Sequence, residues 1–87
     1  MDLFKIDPKG SFEHDLRKID RQFIPGILEA IESLSENPFP VQSRKMKGSE
    51  SSYRLRVGDY RVIYQVDTKN KVVTVYHARH RKDVYKS

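Results

Sequence analysis

Residues Tyr53 to Tyr64 read YRLRVGDYRVIY, and three arginines stand in them at a spacing that could hold a phosphate. Gly58-Asp59 reads as a two-residue turn with glycine first, which suits a type II′ hairpin. Side chains alternate between faces along a strand. The implied register sets Val57 opposite Tyr60, Arg56 opposite Arg61 and Arg54 opposite Ile63. Arg54, Arg56 and Arg61 then share one face, while Leu55, Val57, Tyr60, Val62, Tyr64 and Val66 share the other. Like charges directly opposite one another destabilise a sheet. A fold that keeps them is expected to use them on an anion, and rigidly held guanidiniums match phosphate oxygens.

A second cluster is HARHRKDVY, His77 to Tyr85, which supplies Arg79, His80, Arg81, Lys82 and Tyr85 near the end of the last strand. Cleavage of a phosphodiester needs a base for the attacking oxygen, an acid for the leaving oxygen and cations for the added negative charge. Histidine is the side-chain type suited to proton transfer near neutral pH, which makes His80 a candidate. A tyrosine among cations can have its pKa lowered into a useful range, so Tyr85 is a candidate acid or base, with packing against the sheet edge as the alternative. His77 and His80 are three apart, but a strand and its exit do not present them together as a helix would, so no metal site is expected, and no cofactor. Asp59 reads as a turn former and Asp83 as an ion-pair partner. The sequence holds no glycine-rich phosphate loop, no Ser–His–Asp constellation and no paired-carboxylate signal.

The elements that must position these residues follow from periodicity. Leu3 to Asp7 reads as a short first strand, broken by Pro8-Lys9-Gly10. Ser11 is the expected N-cap of a helix carrying Phe12, Leu16 and Ile19 at helical spacing. A second helix is expected from about Pro25 to Glu36, with Ile24, Ile27, Leu28, Ile31 and Leu34 as its apolar stripe and Asn37-Pro38 as its stop. The two read as a helical hairpin. Residues 38–52 read as a polar connection that contains Arg44, Lys45, Lys47 and Gly48, either a basic loop beside the arginine face or a plain solvated linker. Strands follow at 53–57 and 60–66, then a turn at Asp67 to Lys71 and a strand from Val72 to about Arg79. If Val66 pairs with Val72, then Val73, Val75, His77 and Arg79 lie on the face of Arg61; a slip of one residue reverses this. Both faces of that strand are partly apolar, so the pattern leaves the register open.

Eighty-seven residues make one domain, spanning 1–87, with a modest core. There is no cysteine, hence no disulfide framework and no thiolate metal site. No apolar run approaches the roughly 20 residues that span a membrane. The N-terminus MDLFKIDPKGS carries acidic groups and no long apolar segment, so it does not read as a secretory signal and a cytoplasmic location is expected. Charge is uneven: residues 1–43 hold 5 basic and 8 acidic groups, residues 44–87 hold 12 and 4. A basic half on a small domain points to a polyanionic partner.

The stretch KMKGSESSYRLRVGDYRVIYQVD followed by HARHRKDVY resembles the RelE/ParE superfamily of toxins from type II toxin–antitoxin systems, and more narrowly its RelE-type mRNA interferases. The matching pieces are a "KG" before the hairpin, the hairpin itself and a closing "HRKDVY". The resemblance implies an α+β fold, a small twisted and mostly antiparallel sheet with an N-terminal helical hairpin on one face. It implies a metal-independent endoribonuclease that cleaves mRNA in the ribosomal A site and so inhibits translation. It also implies a cognate antitoxin, with mRNA and ribosomal RNA as the other partners and no membrane. Matched residue by residue, it gives Arg61, Arg79, His80, Arg81 and Tyr85 as catalytic candidates. Arg54, Arg56, Lys45, Lys47 and Lys82 are the expected RNA-binding residues. Some relatives have lysine at the positions of Arg54 and Arg56. Arginine stays protonated, so proton transfer falls here on His80, Tyr85, Lys45 or Lys47. The alternatives are a ParE-type inhibitor of gyrase, which binds and cuts nothing, and a non-catalytic binding module of the same fold.

Overall fold

The computed structural model describes residues 3–84. Strand β1 (Lys5–Pro8) leads into helix α1 (Gly10–Leu16), and a 3₁₀ turn (Arg21–Phe23) leads into helix α2 (Ile24–Ser33). Four strands follow: β2 (Ser43–Lys45), β3 (Ser52–Val57), β4 (Tyr60–Asp67) and β5 (Val72–His80). A single turn of helix, α3 (Arg81–Val84), comes after β5. One sheet holds all five strands in the order β1-β5-β4-β3-β2. β1 runs parallel to β5, and every other neighbouring pair is antiparallel.

The hairpin forms as its sequence requires. Val57 faces Tyr60, Arg56 faces Arg61 and Arg54 faces Ile63. Gly58 takes the positive φ of 59° that the first position of a type II′ turn needs and that glycine adopts without a steric penalty. Alternation then sends Leu55, Val62, Tyr64 and Val66 into the core, with Val57 and Tyr60 packed at its margin. Val73, Val75 and Ala78 of β5 complete the sheet's contribution. Phe12, Ile19, Ile27, Ile31 and Leu34 cover it from the helical side. Helix α1 packs against β5, and α2 against β3 and the 3₁₀ turn.

Several local expectations change. Ser11 is not the N-cap of α1: Lys9 holds that position without a side-chain bond, and the Ser11 hydroxyl donates to the Tyr76 carbonyl at 2.6 Å. The second helix ends at Ser33, with turns continuing through Glu36. Residues 43–45, read as polar connection, add a fifth strand, because Arg44 pairs with Arg54 across β3. In β5 the register is Val66 to Val73, which turns Val73 and Val75 inward. A bulge then sets in, since Tyr64 pairs with Val75 while Ile63 pairs with His77, leaving Tyr76 as the extra residue. One extra residue shifts the alternation by one. His77 and Arg79 therefore return to the face of Arg61, and Ala78 to the core.

Tyr64 carries the one hydroxyl of this central core cluster, and it donates to the Pro38 carbonyl at 2.8 Å, tying the loop after α2 to the sheet. Burial pushes its pKa up from the ordinary 10.0. A raised folded-state pKa means that stability is fully present below the unfolded value near 10.0 and is lost as pH climbs through the folded one. Tyr64→Phe is expected to cost about 1–2 kcal/mol at neutral pH, from the lost bond and the stranded carbonyl. It should also remove part of the alkaline loss of stability. Urea melts of both proteins between pH 7 and pH 11 measure both effects.

Candidate nucleic-acid interface

The face of the sheet away from the helices carries the arginines. Arg56 on β3, Arg61 on β4 and Arg79 on β5 are directly opposed across three strands, and Arg44 on β2 is opposed to Arg54 on β3. Arg44, Arg54, Arg56 and Arg61 line a concavity of about 200 Å³ with Val41 and Gln42, and none of these lining residues is a carboxylate. Arg61 is anchored by its own hairpin. One guanidinium nitrogen donates to the carbonyls of Gly58 at 3.0 Å and Tyr60 at 2.9 Å. Arg44 is held the same way by the carbonyls of Val41 and Ser43, each at 3.2 Å. Backbone carbonyls hold two of the guanidiniums in place without neutralising them, and that suits binding an anion.

The C-terminal cluster divides differently. Arg79 shares the arginine face by register but leans to the outer edge of β5. Its Nε lies 4.0 Å from Asp15 of α1, and Nη2 lies 3.3 Å from His77 Nδ1. His80 pairs with Tyr60 and so lies on the helical side. Its ring stands edge-on to Tyr60, centroids 5.6 Å apart, and its Nδ1 accepts from the Lys82 N–H at 3.2 Å. There it borders a second concavity of about 340 Å³ at the sheet edge, with Asp15, Lys18, Arg79 and Asp83. Arg81 turns back to the hairpin, donating its N–H to the Asp59 carbonyl at 2.7 Å, with its guanidinium 3.8 Å from the Asp59 carboxylate. Both of those side chains are exposed, so the ion pair adds little to stability. Lys82 is exposed on α3. Tyr85 lies outside the described residues.

A sequence model described as the ParE toxin of type II toxin–antitoxin systems, parDE, matches residues 6–85. The chain belongs to this toxin family. It is 30% identical to the candidate toxin RelE1 of Methanocaldococcus jannaschii, over 97% of each chain. It is 27% identical to the toxin RelG of Mycobacterium tuberculosis, over 83% of this chain and 84% of the relative. The crystal structure of the archaeal RelE–RelB complex from Pyrococcus horikoshii OT3 superposes with a TM-score of 0.80 at 28% identity, covering 93% of this chain and 97% of that one. RelE/ParE membership agrees with what the hairpin and the closing HRKDVY imply.

Within this toxin the structure unites Arg54, Arg56 and Arg61, as their spacing requires, and adds Arg44. Lys45 is opposed to Tyr53 rather than to an arginine, and Lys47 stands in the turn beyond β2, so neither lines the concavity. His80 and Arg79 are consecutive partners of Tyr60 and Arg61, which puts them on opposite faces of β5. Asp15 and His77 come to the same edge without any signal in the sequence: their side chains meet from 62 residues apart. Among the described residues no group of three or more His, Asp or Glu converges. No helix among them is long and apolar enough to cross a membrane.

The opposed arginines carry a measurable conflict between stability and binding. Arg56 is the exposed member of the Arg56–Arg61–Arg79 row, and threonine suits a strand. Arg56→Thr is expected to stabilise the free protein by roughly 0.5 kcal/mol at low salt, with the gain shrinking as salt rises. The same change should weaken binding of a single-stranded RNA and lower its salt slope by about 1. Urea midpoints and RNA titrations at several salt concentrations give both readings.

Proposed function

We propose that this toxin is an endoribonuclease that cuts messenger RNA in the ribosomal A site and so arrests translation. The observation that supports this most is the set of four arginines gathered on one concavity of a sheet face, with no carboxylate among the described residues that line it. The reaction is attack of the ribose 2′-hydroxyl on the adjacent phosphate, giving a 2′,3′-cyclic phosphate and a 5′-hydroxyl. Arg61 on the face, and Arg79 opposed to it on β5 and drawn to the outer edge, orient the phosphate and stabilise its transition-state charge. Arg81, the first residue after β5, extends that charge. Arg44, Arg54 and Arg56 hold the RNA backbone, with Lys45, Lys47 and Lys82 as more distant phosphate contacts. Of the proton-transfer candidates, His80 lies on the helical side of the sheet, away from the arginine face, and Tyr85 lies outside the described residues. Fixed guanidiniums supply the charge that a bound metal would otherwise provide, so the reaction is metal-independent. DNA, lacking the 2′-hydroxyl, resists.

The ParE family model favours a second reading, in which the same fold binds gyrase and cuts nothing. Sequencing RNA 5′ ends after expression separates the two: ribosome-dependent cuts within codons support the nuclease, and DNA damage without cuts supports the gyrase inhibitor. On the nuclease reading, Arg61→Ala should lower the cleavage rate by about 10²–10³ while the protein stays folded, the usual cost of losing one transition-state contact. Full toxicity of a soluble Arg61→Ala protein would reject the site.

The partner in this reading is a small cognate antitoxin, as the RelE–RelB pairing of the Pyrococcus relative supports. It presents an acidic or amphipathic segment that covers the basic face. Exposed charges steer encounter, so association should be fastest at low salt and slow steeply as ionic strength rises. Stopped-flow association rates across a salt series test this, and a rate indifferent to salt contradicts it.

A further inference from the structure

β1 pairs with β5 only as far as Val75, so the rest of β5 is an outer edge that α1 crosses. Side chains of α1 take the place of a missing strand there. Ser11 donates to the Tyr76 carbonyl, and one carboxylate oxygen of Asp15, Oδ2, accepts from the Ala78 N–H at 3.1 Å. That same oxygen lies 2.9 Å from His77 Nδ1. Arg79 Nη2 also approaches Nδ1, at 3.3 Å. Nδ1 cannot serve both neighbours. A carboxylate only accepts, so at 2.9 Å Nδ1 carries the hydrogen. In its neutral form His77 then has its lone pair on Nε2, and the approach of Arg79 Nη2 to Nδ1 is a contact without a shared hydrogen.

We propose that His77, oriented by Asp15, is the proton acceptor of the cleavage reaction, an assignment that rests on the nuclease reading. A carboxylate that fixes Nδ1–H and frees Nε2 is the arrangement that makes an imidazole a general base. The register puts it on the arginine face: His77 is opposed to Ile63 and Arg79 to Arg61. His77 and Arg61 are therefore diagonal neighbours on one face, about 7–8 Å apart. The side chain of His77 is 31% exposed and that of Asp15 14%, so substrate can reach the base while its orienting carboxylate stays covered. The charged groups around the imidazole are Asp15 from α1, Arg79 on its own strand and Arg61 on β4. No arginine of this face gives up a proton near neutral pH, and His80 looks into the other side of the sheet. In the step itself, the 2′-hydroxyl proton passes to Nε2 and the 2′-oxygen bonds to phosphorus. The bond from phosphorus to the 5′-oxygen breaks, and that oxygen takes a proton from solvent.

His77→Asn tests the role, because its amide N–H can replace Nδ1–H toward Asp15 but cannot accept the proton. Single-turnover cleavage of mRNA on programmed ribosomes should fall by at least about 100-fold, with antitoxin binding and thermal melting unchanged. Asp15→Asn, a change to the positioning residue, should cost less and displace the inflection of the pH–rate profile. In the wild type, the rate should rise tenfold per pH unit and then level off at the midpoint of the His77 ring signals followed by NMR. That comparison needs no variant and decides the matter if His77→Asn does not fold. A wild-type rate in folded His77→Asn, or an inflection that follows His80 or His14, overturns the assignment while leaving the nuclease reading intact. A wild-type protein that leaves ribosome-bound mRNA uncut overturns both.

Discussion

A two-residue turn at Gly58 and Asp59 sets β3 against β4 in one register, and both faces of the sheet depend on it. The positive φ at Gly58 is the one that this two-residue turn needs at its first position. With side chains alternating, that register puts Leu55, Val62, Tyr64 and Val66 under the helices. A slip of one residue would send arginines into the core and leave these apolar groups in water, a loss of several kcal/mol. The hydrophobic effect thus holds the arginines together on the far face: they are opposed because their apolar neighbours must be buried.

That placement works against stability, since Arg56, Arg61 and Arg79 face one another with no carboxylate between them. The fold bears the repulsion in three ways. Backbone carbonyls orient Arg61 and Arg44, the face is open to water and counterions, and Asp15 draws Arg79 to the edge. What remains is a rigid array of positive charge that a polyanion relieves. The same feature ties binding to stability, because whatever neutralises the face, nucleic acid or an acidic protein segment, also removes a strain on the sheet.

The outer edge of β5 shows how a small domain reuses one side chain. A chain of this size has a limited core and cannot leave strand edges unsatisfied. β1 is too short to cover β5, and α1 follows it so closely that Ser11 and Asp15 fall against the uncovered stretch. Asp15 satisfies a backbone N–H there and at the same time sets the imidazole of His77. Edge protection and side-chain orientation come from one carboxylate oxygen.

Local chemistry in the sequence was enough to determine the hairpin, its turn type, its register and therefore the union of Arg54, Arg56 and Arg61. Those features depend on residues within a dozen positions of one another, where period-two alternation and one glycine leave a single solution. Both helices were legible from their apolar spacing and the proline and asparagine punctuation, though Ser11 looked like a cap because the carbonyl it bonds is on a distant strand. Only the tertiary structure decided the rest. β2 is three residues of ordinary polar sequence and becomes a strand because the edge of β3 is there to pair with, which brings Arg44 to the concavity. The bulge at Tyr76 reverses the parity of β5 midway, so no single register read from its pattern could place Val75 inward and His77 outward together. Asp15 and His77 meet across 62 residues, through a parallel strand pairing and a helix crossing the sheet edge. Sixty-two positions separate them, so long-range packing alone makes the contact.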